Sequence, residues 1–371
     1  SDIAKLTIVK GNVEIEAEAT VGSIERHADN KDEATYVINK GTLTNAPTDS
    51  KILVYGSVAE MNLHSGIAQG DTVTLTEDVV LTKPLVIAKG VEVTLNLNGH
   101  NIFGTDNTAG RNFYLIDNQS KFTIQGEGSI KLTATVDKDI NNSSVVVANN
   151  PGGNLVVEAG VLIEHLGGSY MAYGIDNLTN GKGTYAVTTI NGATIKSTYR
   201  AVRQFLNGIE STNELIIKAN SRIEGNNKSV FFHDPSKQAN TGKLIVEEGS
   251  VLVGDVYLYV TEGSTEWPVE VSIAKASLQE SYTVVSKNVP EGYEVKENEN
   301  SWTVVESVTD PEGGQQGGQE GGTGSETNPE GGQGGGTETD SDDKEGDGQG
   351  NTPNPETGLG EEKGEEKETE G

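Results

Sequence analysis

Residues 155–163 read LVVEAGVLI, and residues 244–252 read LIVEEGSVL. Both stretches have an apolar residue at position one, a β-branched residue at position three, Gly at position six and an apolar residue at position nine. The pattern recurs, in two cases more loosely, at 85–93, 122–130, 187–195 and 215–223, with a further trace at 94–102. The ninth positions of successive copies, beginning with the trace, lie 28 to 33 residues apart. A period of this length is typical of stacked repeats.

Apolar and polar residues alternate within each copy, and this period of two predicts β-strands. Gly or Asn at position six tolerates a positive φ, so we expect a tight corner there between two short strands. Another apolar segment precedes most copies, at 112–116, 144–148, 171–175, 201–205 and 229–232. Each unit therefore predicts three strands and three corners. Because one such coil cannot bury its own apolar face, the coils must stack into an all-β, parallel β-helix solenoid.

Two segments resemble a known family. Residues 70–102 (GDTVTLTEDVVLTKPLVIAKGVEVTLNLNGHNI) resemble the opening of right-handed parallel β-helix domains in bacterial surface proteins, which have the pectin-lyase-like fold. Residues 289–305 (VPEGYEVKENENSWTVV) resemble the strand pair that closes such domains. The resemblance spans about 70–305 and implies an exported protein. It does not select an activity, because the family includes lyases, hydrolases, adhesins and inert stalks.

The composition changes sharply near residue 308. The chain has 371 residues, no Cys and a net charge of −29, so it can form neither a disulfide nor a thiolate metal site. Residues 309–371 contain 18 Asp and Glu against 3 Lys, many Gly and no aromatic residue. Such a segment cannot bury enough apolar surface to fold. We therefore expect a disordered acidic Gly-rich linker at 309–371.

The remaining chain divides by its strand patterns. Residues 1–69 are predicted to form an N-terminal cap or irregular first coils, with a small separate β domain as the alternative. Residues 70–260 are predicted to form the β-helix, and residues 261–308 to form capping strands in which Trp267 and Trp302 cover the last apolar layer. The chain opens with Ser1 and Asp2 rather than Met, which we interpret as a processed or excised segment.

Three aspartates lie at the predicted turns that follow the apolar segments preceding the repeat copies. In stacked coils these aspartates would lie along one edge of a sheet. If the protein is an enzyme, Asp117, Asp176 and Asp234 are its candidate catalytic residues, because glycosidic cleavage uses a pair of carboxyl groups. Asp117 and Asp176 would lie two coils apart, about 9–10 Å by the spacing of strands. The competing interpretation is structural, since Asp is common in turns where it accepts bonds from its own backbone.

A second polar group is predicted to bind a ligand. Arg200 and Arg203 on one coil, with Tyr173 and His233 on neighbouring coils, could hold an acidic sugar through charge-assisted hydrogen bonds and ring stacking. Pectate lyases of the fold that the chain resembles use basic residues together with calcium-binding carboxylates. No calcium constellation accompanies these arginines, and surface salt bridging is the competing interpretation.

Other kinds of site find little support in the sequence. The five histidines are scattered and none is predicted beside a serine nucleophile. No metal site and no cofactor are predicted, and the acidic balance argues against nucleic acid. NPETG at 354–358 resembles the sorting signal of Gram-positive surface proteins, in which Thr357 would be joined to the cell wall. The apolar span and basic end of such signals do not follow it.

The sequence thus predicts an extracellular, non-catalytic display or adhesion protein of a bacterial surface or cell wall. Its candidate partner is a polysaccharide or a host or cell-surface glycan, bound along one β-sheet, and this segment is not expected to span a membrane. The first alternative is a polysaccharide lyase or glycoside hydrolase of the same fold. The second is an inert spacer or stalk.

Overall fold

The computed structural model describes residues 2–307, apart from 33, 139–141, 169–170 and 238–239. It confirms the predicted class, since the chain forms an all-β parallel solenoid of about 10 turns. The candidate sorting residue Thr357 and the predicted linker at 309–371 lie outside the described residues.

The first part of the chain forms short, irregular coils. Its eight strands pair in parallel as β1-β4-β7, β2-β5 and β3-β6-β8. They are β1 (Asp2–Ile3), β2 (Leu6–Ile8), β3 (Val13–Ile15), β4 (Thr20–Val21), β5 (Ile24–Arg26), β6 (Thr35–Asn39), β7 (Thr42–Leu43) and β8 (Ile52–Tyr55). Six buried residues, among them Ile15, Val21 and Val37, give these coils a small core of their own. We call this part the N-terminal coils.

A helix that the sequence analysis did not predict follows the N-terminal coils. Helix α1 spans Val58–Gln69, begins at Ser57, whose hydroxyl accepts the Glu60 backbone N–H at 3.0 Å, and ends at Gly70 with φ 79°. Its Leu63 and Ile67 are buried in the core of the following coils. Leu63 and Ile67, four positions apart, are the two buried aliphatic residues of the helix. One such spacing is too weak a sign of helical periodicity to be recognised in a sequence dominated by strand patterns.

Three columns of strands build the rest of the solenoid, which we call the main stack. Its strands are β9 (Thr72–Thr74), β10 (Val79–Val80), β11 (Leu85–Ile87), β12 (Glu92–Asn96), β13 (Asn101–Asp106), β14 (Phe113–Asn118), β15 (Lys121–Gln125), β16 (Gly128–Ala134), β17 (Ser144–Asn149), β18 (Asn154–Glu158), β19 (Val161–Leu166), β20 (Ala172–Lys182), β21 (Tyr185–Asn191), β22 (Thr194–Ser197), β23 (Arg200–Ile209), β24 (Thr212–Ile217), β25 (Arg222–Asp234), β26 (Thr241–Val246), β27 (Val251–Val260), β28 (Glu270–Ala274) and β29 (Val284–Lys287). In each early coil a first-column strand is followed by a second-column strand and then a third-column strand. The strands β9, β10 and β11 are the first example, and β12, β13 and β14 continue the same three columns. In β25 and β27 the second and third strands merge into one.

The predicted repeat determines how the coils are aligned. The ninth positions of the repeat pair in register through the second column, in the order Ile102, Ile130, Ile163, Ile195, Ile223 and Leu252. All six side chains are fully buried. The position-six residues Gly90, Gly160, Gly192, Asn220 and Gly249 all have a positive φ between 64° and 87°. The alternation and the corners are therefore as predicted.

The C-terminal end carries an antiparallel hairpin. Strands β30 (Tyr293–Glu297) and β31 (Ser301–Glu306) pair with each other, and β31 pairs antiparallel with β28 of the first column. Trp302 and Trp267 are half-buried and pack against the core of the main stack. The ring centroid of Trp267 lies 5.6 Å from that of Phe232. Both tryptophans therefore cover apolar residues at this end.

Buried asparagines link four coils at the corner after the third column. The Asn118 amide donates to Asn149 at 2.7 Å, Asn149 donates to Asn177 at 2.8 Å, and Asn177 donates to Asn213 at 2.7 Å. All four side chains are fully buried. Each amide donates to the next, so these four corners hold one another in place.

Replacing Asn177 with leucine should destabilise the main stack by roughly 3 kcal/mol, because Asn213 Oδ1 and one donor of Asn149 lose a buried partner. Urea unfolding followed by circular dichroism measures the loss. The exposed Asn226 provides the control, as its replacement by leucine should change stability little. Equal effects at the two positions would show that the amide ladder contributes nothing.

Candidate functional site

The candidate ligand-binding residues meet on the outward side of the third column. Successive residues of a straight strand face opposite sides. Leu115 and Ile116 of β14 are neighbours in sequence and both enter the core, so the third column bends there. Beyond the bend the alternation shifts by one residue, which changes the residues that face outward. In the coils of β20, β23, β25 and β27, the outward residues form what we call the arginine–aromatic face. It consists of Tyr173, Arg200, Arg203, Phe205, Phe231, His233, Tyr257 and Tyr259.

The register arranges this face in three rows across the coils. Arg200 lies between Tyr173 and Lys228. The middle row runs Asp176, Arg203, Phe231 and Tyr257. The third row runs Phe205, His233, Tyr259 and Lys287. The structure therefore brings the four predicted ligand-binding residues, Tyr173, Arg200, Arg203 and His233, together. Tyr173 is fully buried and the two arginines are at most 7% exposed, so these three side chains form the interior of the face and not a contact surface.

A buried ion pair lies at the centre of the face. Arg203 donates to both carboxylate oxygens of Asp176, from Nε at 2.8 Å and from Nη2 at 2.5 Å. Asp176 is fully buried and Arg203 is 7% exposed. Burial by itself would lower the pKa of the Arg203 guanidinium, but the Asp176 carboxylate outweighs burial and raises this pKa above its ordinary value. The guanidinium also lies 4.5 Å from the ring centroids of Tyr173 and Phe205.

The second arginine of the face also lies between aromatic rings. The Arg200 guanidinium carbon is 3.9 Å from the ring centroid of Phe231 and 4.7 Å from that of Tyr199. Its Nη2 donates to the Tyr199 hydroxyl at 3.2 Å. Cations over aromatic faces gain about 0.5–2 kcal/mol. Arg200 is therefore held in one orientation by rings on its own coil and on the next.

His233 is held neutral inside the aromatic part of the face. Its ring centroid lies 4.7 Å from that of Tyr259, 5.2 Å from that of Phe205 and 5.5 Å from that of Phe231. Burial lowers the pKa of His233 to about 3, with smaller contributions from the charges of Arg203 and Arg200. The imidazole therefore acts at neutral pH as an aromatic ring and not as a cation.

The rim of the face is accessible. Lys228 and Tyr257 are half-buried, and the Lys228 ammonium lies 4.7 Å from the Tyr257 ring centroid. Lys287 is exposed, with its ammonium 5.5 Å from the ring centroid of Tyr259. These residues were not predicted from the sequence. The alternation in β27 (VYLYV, 256–260) could have indicated that Tyr257 and Tyr259 face outward. It could not indicate which residues of β25 and β29 lie beside them.

The three candidate catalytic aspartates are each held by bonds within the structure. Asp117 accepts from Asn150 Nδ2 at 2.6 Å and from Gln119 Nε2 at 2.9 Å. Asp234 accepts the backbone N–H of Ser236 at 2.9 Å and its hydroxyl at 2.5 Å. Asp176 is paired with Arg203, as described above. Each carboxylate therefore stabilises a turn or an ion pair.

The register also separates these aspartates. Asp117 and Asp176 share one row, with Ala148 of the coil between them. Asp234 does not lie in this row, where Arg203 and Phe231 occupy the following coils. Burial raises the pKa of Asp234, against the hydrogen bonds from Ser236, but the side chain is only 2% exposed. The arrangement does not offer two open carboxyl groups facing one substrate bond.

One histidine does lie beside a serine, contrary to the sequence analysis. His165 Nε2 is 2.9 Å from Ser144 Oγ, in a cluster where the Lys138 ammonium lies 2.9 Å from Asp106 Oδ2. The two residues lie on different columns of adjacent coils, so only the fold brings them together. None of the four side chains is more than 4% exposed. The cluster therefore has no access to substrate and supports the loops around it.

Metal and membrane sites find no support in the part of the chain that the structure describes. Within 2–307 and outside its gaps, no cluster of three or more His, Asp or Glu residues is placed to hold a metal ion. Among the same residues, no helix combines the length and apolar character needed to cross a bilayer.

In comparisons with known proteins, no family model, no curated protein and no solved structure matches this chain. The parallel β-helix part of the resemblance is confirmed by the structure. The pectin-lyase-like and cell-surface assignments stay predictions. Any function must therefore be argued from the geometry of this chain's own residues.

Proposed function

We propose that this protein is a non-catalytic display or adhesion module that binds a glycan along the arginine–aromatic face. The observation that carries the proposal is the accessible rim of Tyr257, Lys228 and Lys287 beside a rigid interior of stacked rings and arginines. Rigid aromatic side chains supply large contact areas at a low entropic cost. The face is therefore preorganised for a flat ligand.

Charge favours an acidic sugar as the ligand. The chain has a net charge of −29, yet among the described residues four cations, Arg200, Arg203, Lys228 and Lys287, lie on this face or at its rim. In the register Asp176 pairs with Arg203 and Asp255 with Lys228. Asp176 is already bound to Arg203, while Lys228 and Lys287 lie at the accessible rim. A carboxylate or sulfate on the glycan would make charge-assisted hydrogen bonds with them.

Binding is favoured over cleavage by the state of the three aspartates. A glycosidase needs an acid and a second carboxylate at the scissile bond. Here Asp117, Asp176 and Asp234 each accept bonds from neighbouring side chains or turns. The raised pKa of Asp234 fits a general acid, but the group is buried and bonded to Ser236.

The same proposal includes a location. We place the protein outside a bacterial cell, with the Gly-rich acidic segment at 309–371 as a spacer and Thr357 as a candidate point of attachment to the cell wall. The NPETG motif at 354–358 and the Gly-rich residues that precede it support this location. Detection of the folded part on intact cells, and its loss after Thr357→Ala, would test attachment.

Replacing Tyr257 with alanine, or Lys228 with methionine, should weaken glycan binding about tenfold, as expected for the loss of about 1.4 kcal/mol from one stacking or ionic contact. A glycan array identifies the ligand, and calorimetry with that glycan measures the change. Tyr185→Ala is the matched control, because Tyr185 is 51% exposed and lies outside the face.

Three results would overturn the proposal. An array without any bound glycan favours an inert spacer. Equal loss of binding in Tyr185→Ala and Tyr257→Ala places the ligand elsewhere or shows a general loss of fold. Release of reducing sugar by the wild type, abolished in Asp176→Asn with the fold retained, would make the protein an enzyme.

A further inference from the structure

The N-terminal coils and the main stack are two β-helical segments with separate cores. Strand β8 pairs with β6, and among the described residues no strand of the main stack pairs with β8. The N-terminal coils bury their own six aliphatic residues, while α1 packs into the core of the main stack. The ladder of backbone hydrogen bonds that links all other coils is therefore interrupted here.

The Glu60 carboxylate bridges this interruption by hydrogen bonds. Glu60 Oε2 accepts the backbone N–H of Gly56, just after β8, at 2.6 Å. Glu60 Oε1 accepts the backbone N–H of Thr82, between β10 and β11, at 2.5 Å, and the Thr82 hydroxyl lies 3.0 Å from both oxygens. Glu60 is fully buried. The side chain thus replaces the strand-to-strand bonds that are missing at this position.

His64, one turn further along α1, lies against the same junction. Its Nε2 is 3.9 Å from Glu60 Oε1, and its ring centroid is 5.3 Å from that of Tyr55 in β8. The Lys83 ammonium, from the loop between β10 and β11, lies 3.6 Å from the Tyr55 ring centroid. Tyr36 of β6 contacts Tyr55 from the other side, with centroids 6.3 Å apart. Among the described residues, Glu60, Tyr55, Lys83 and Tyr36 are the titratable side chains that we find at this junction.

We propose that α1 is an acid-released joint, in which protonation of His64 beside Lys83 frees the N-terminal coils while the main stack stays folded. This inference does not depend on glycan binding. A proton on His64 adds a second positive charge next to Lys83 in a site that is largely closed to water. Glu60 cannot turn towards it freely, because both of its oxygens already accept hydrogen bonds from Gly56 and Thr82.

The direction of the pH effect follows from the pKa of His64. Burial, with a smaller contribution from Lys83, lowers this pKa from 6.5 to about 4. When the joint opens, His64 returns to its ordinary pKa, so the open form binds the proton more tightly. The closed joint is therefore fully stable above pH 6.5 and loses stability as the pH falls towards 4.

Hydrogen exchange followed by mass spectrometry tests the joint on the full chain. At neutral pH, amides of β2, β3, β5 and β6 and of the main stack should all be protected. Near pH 4, where His64 binds its proton, we expect the protection factors of the N-terminal coils and α1, taken relative to the intrinsic exchange rate at that pH, to fall at least tenfold while those of β15 to β24 are unchanged. Loss of protection in both segments at the same pH would overturn the proposal.

Two variants separate the roles of the two α1 side chains. His64→Gln should abolish the acid response of the N-terminal coils, whereas His27→Gln, on the exposed side of those coils, should keep it. Glu60→Gln should release the N-terminal coils even at neutral pH. The amide nitrogen of glutamine cannot accept a hydrogen bond, so the backbone N–H of either Gly56 or Thr82 loses its acceptor. An unchanged acid response in His64→Gln, or unchanged protection in Glu60→Gln, would contradict the joint.

Discussion

Replacement of Arg203 by methionine is expected to lower the free energy of unfolding by about 3–5 kcal/mol, the cost of leaving one partner of a buried ion pair without the other. Asp176 is fully buried, and Arg203 supplies both of its ionic hydrogen bonds. Methionine retains much of the apolar volume between Tyr173 and Phe205, so the loss reports charge and not a cavity. Chemical unfolding at neutral pH measures it.

The double variant Arg203→Met with Asp176→Asn distinguishes charge from packing. Removing the stranded carboxylate should recover a large part of the lost stability, because the buried negative charge is gone. Arg222→Met is the control for an ordinary surface pair, since Arg222 is 42% exposed and lies 3.0 Å from Glu224. A loss in Arg203→Met no larger than in Arg222→Met would show that the central pair does not support the face.

Acidification from pH 6.5 to about 4 is expected to cost roughly 3 kcal/mol through His165 alone, at about 1.4 kcal/mol for each unit of pKa. Burial lowers the pKa of His165 to about 4, with Lys138 also lowering it and Asp106 opposing. In the unfolded chain His165 binds a proton below its ordinary pKa, whereas the folded state does not. Stability therefore falls across this interval and levels off once the folded form is protonated as well.

Unfolding free energies of wild type and His165→Gln, measured across this pH interval, isolate the contribution. Glutamine can keep a hydrogen bond to Ser144 but does not titrate, so the variant should lose less stability on acidification by roughly 3 kcal/mol. His27→Gln should follow the wild type, because His27 is 45% exposed. Parallel curves for His165→Gln and wild type would show that His165 is not held neutral by burial.

The amino-acid sequence by itself determined the solenoid. Its information is local and repeated: alternating aliphatic residues, Gly or Asn at the corners, and a period near 30 residues. Such a pattern has one way to bury its apolar side chains, which is to place Ile130 over Ile102 and Ile163 over Ile130. Every coil repeats the same requirement, so the rows follow without knowledge of the loops.

Only the tertiary structure decided which outward side chains meet. The bend at Leu115 and Ile116 changes which residues face out, and unequal loops set the offset between coils, so Asp176 lies beside Arg203 and Asp117 beside Ala148. The Glu60 bridge and the contact of His165 with Ser144 arise in the same way. The need to bury aliphatic rows constrains the inside of the β-helix in the same way in every coil. Contacts on the outside depend on individual residues about one coil apart, and the repeat pattern carries no information about them.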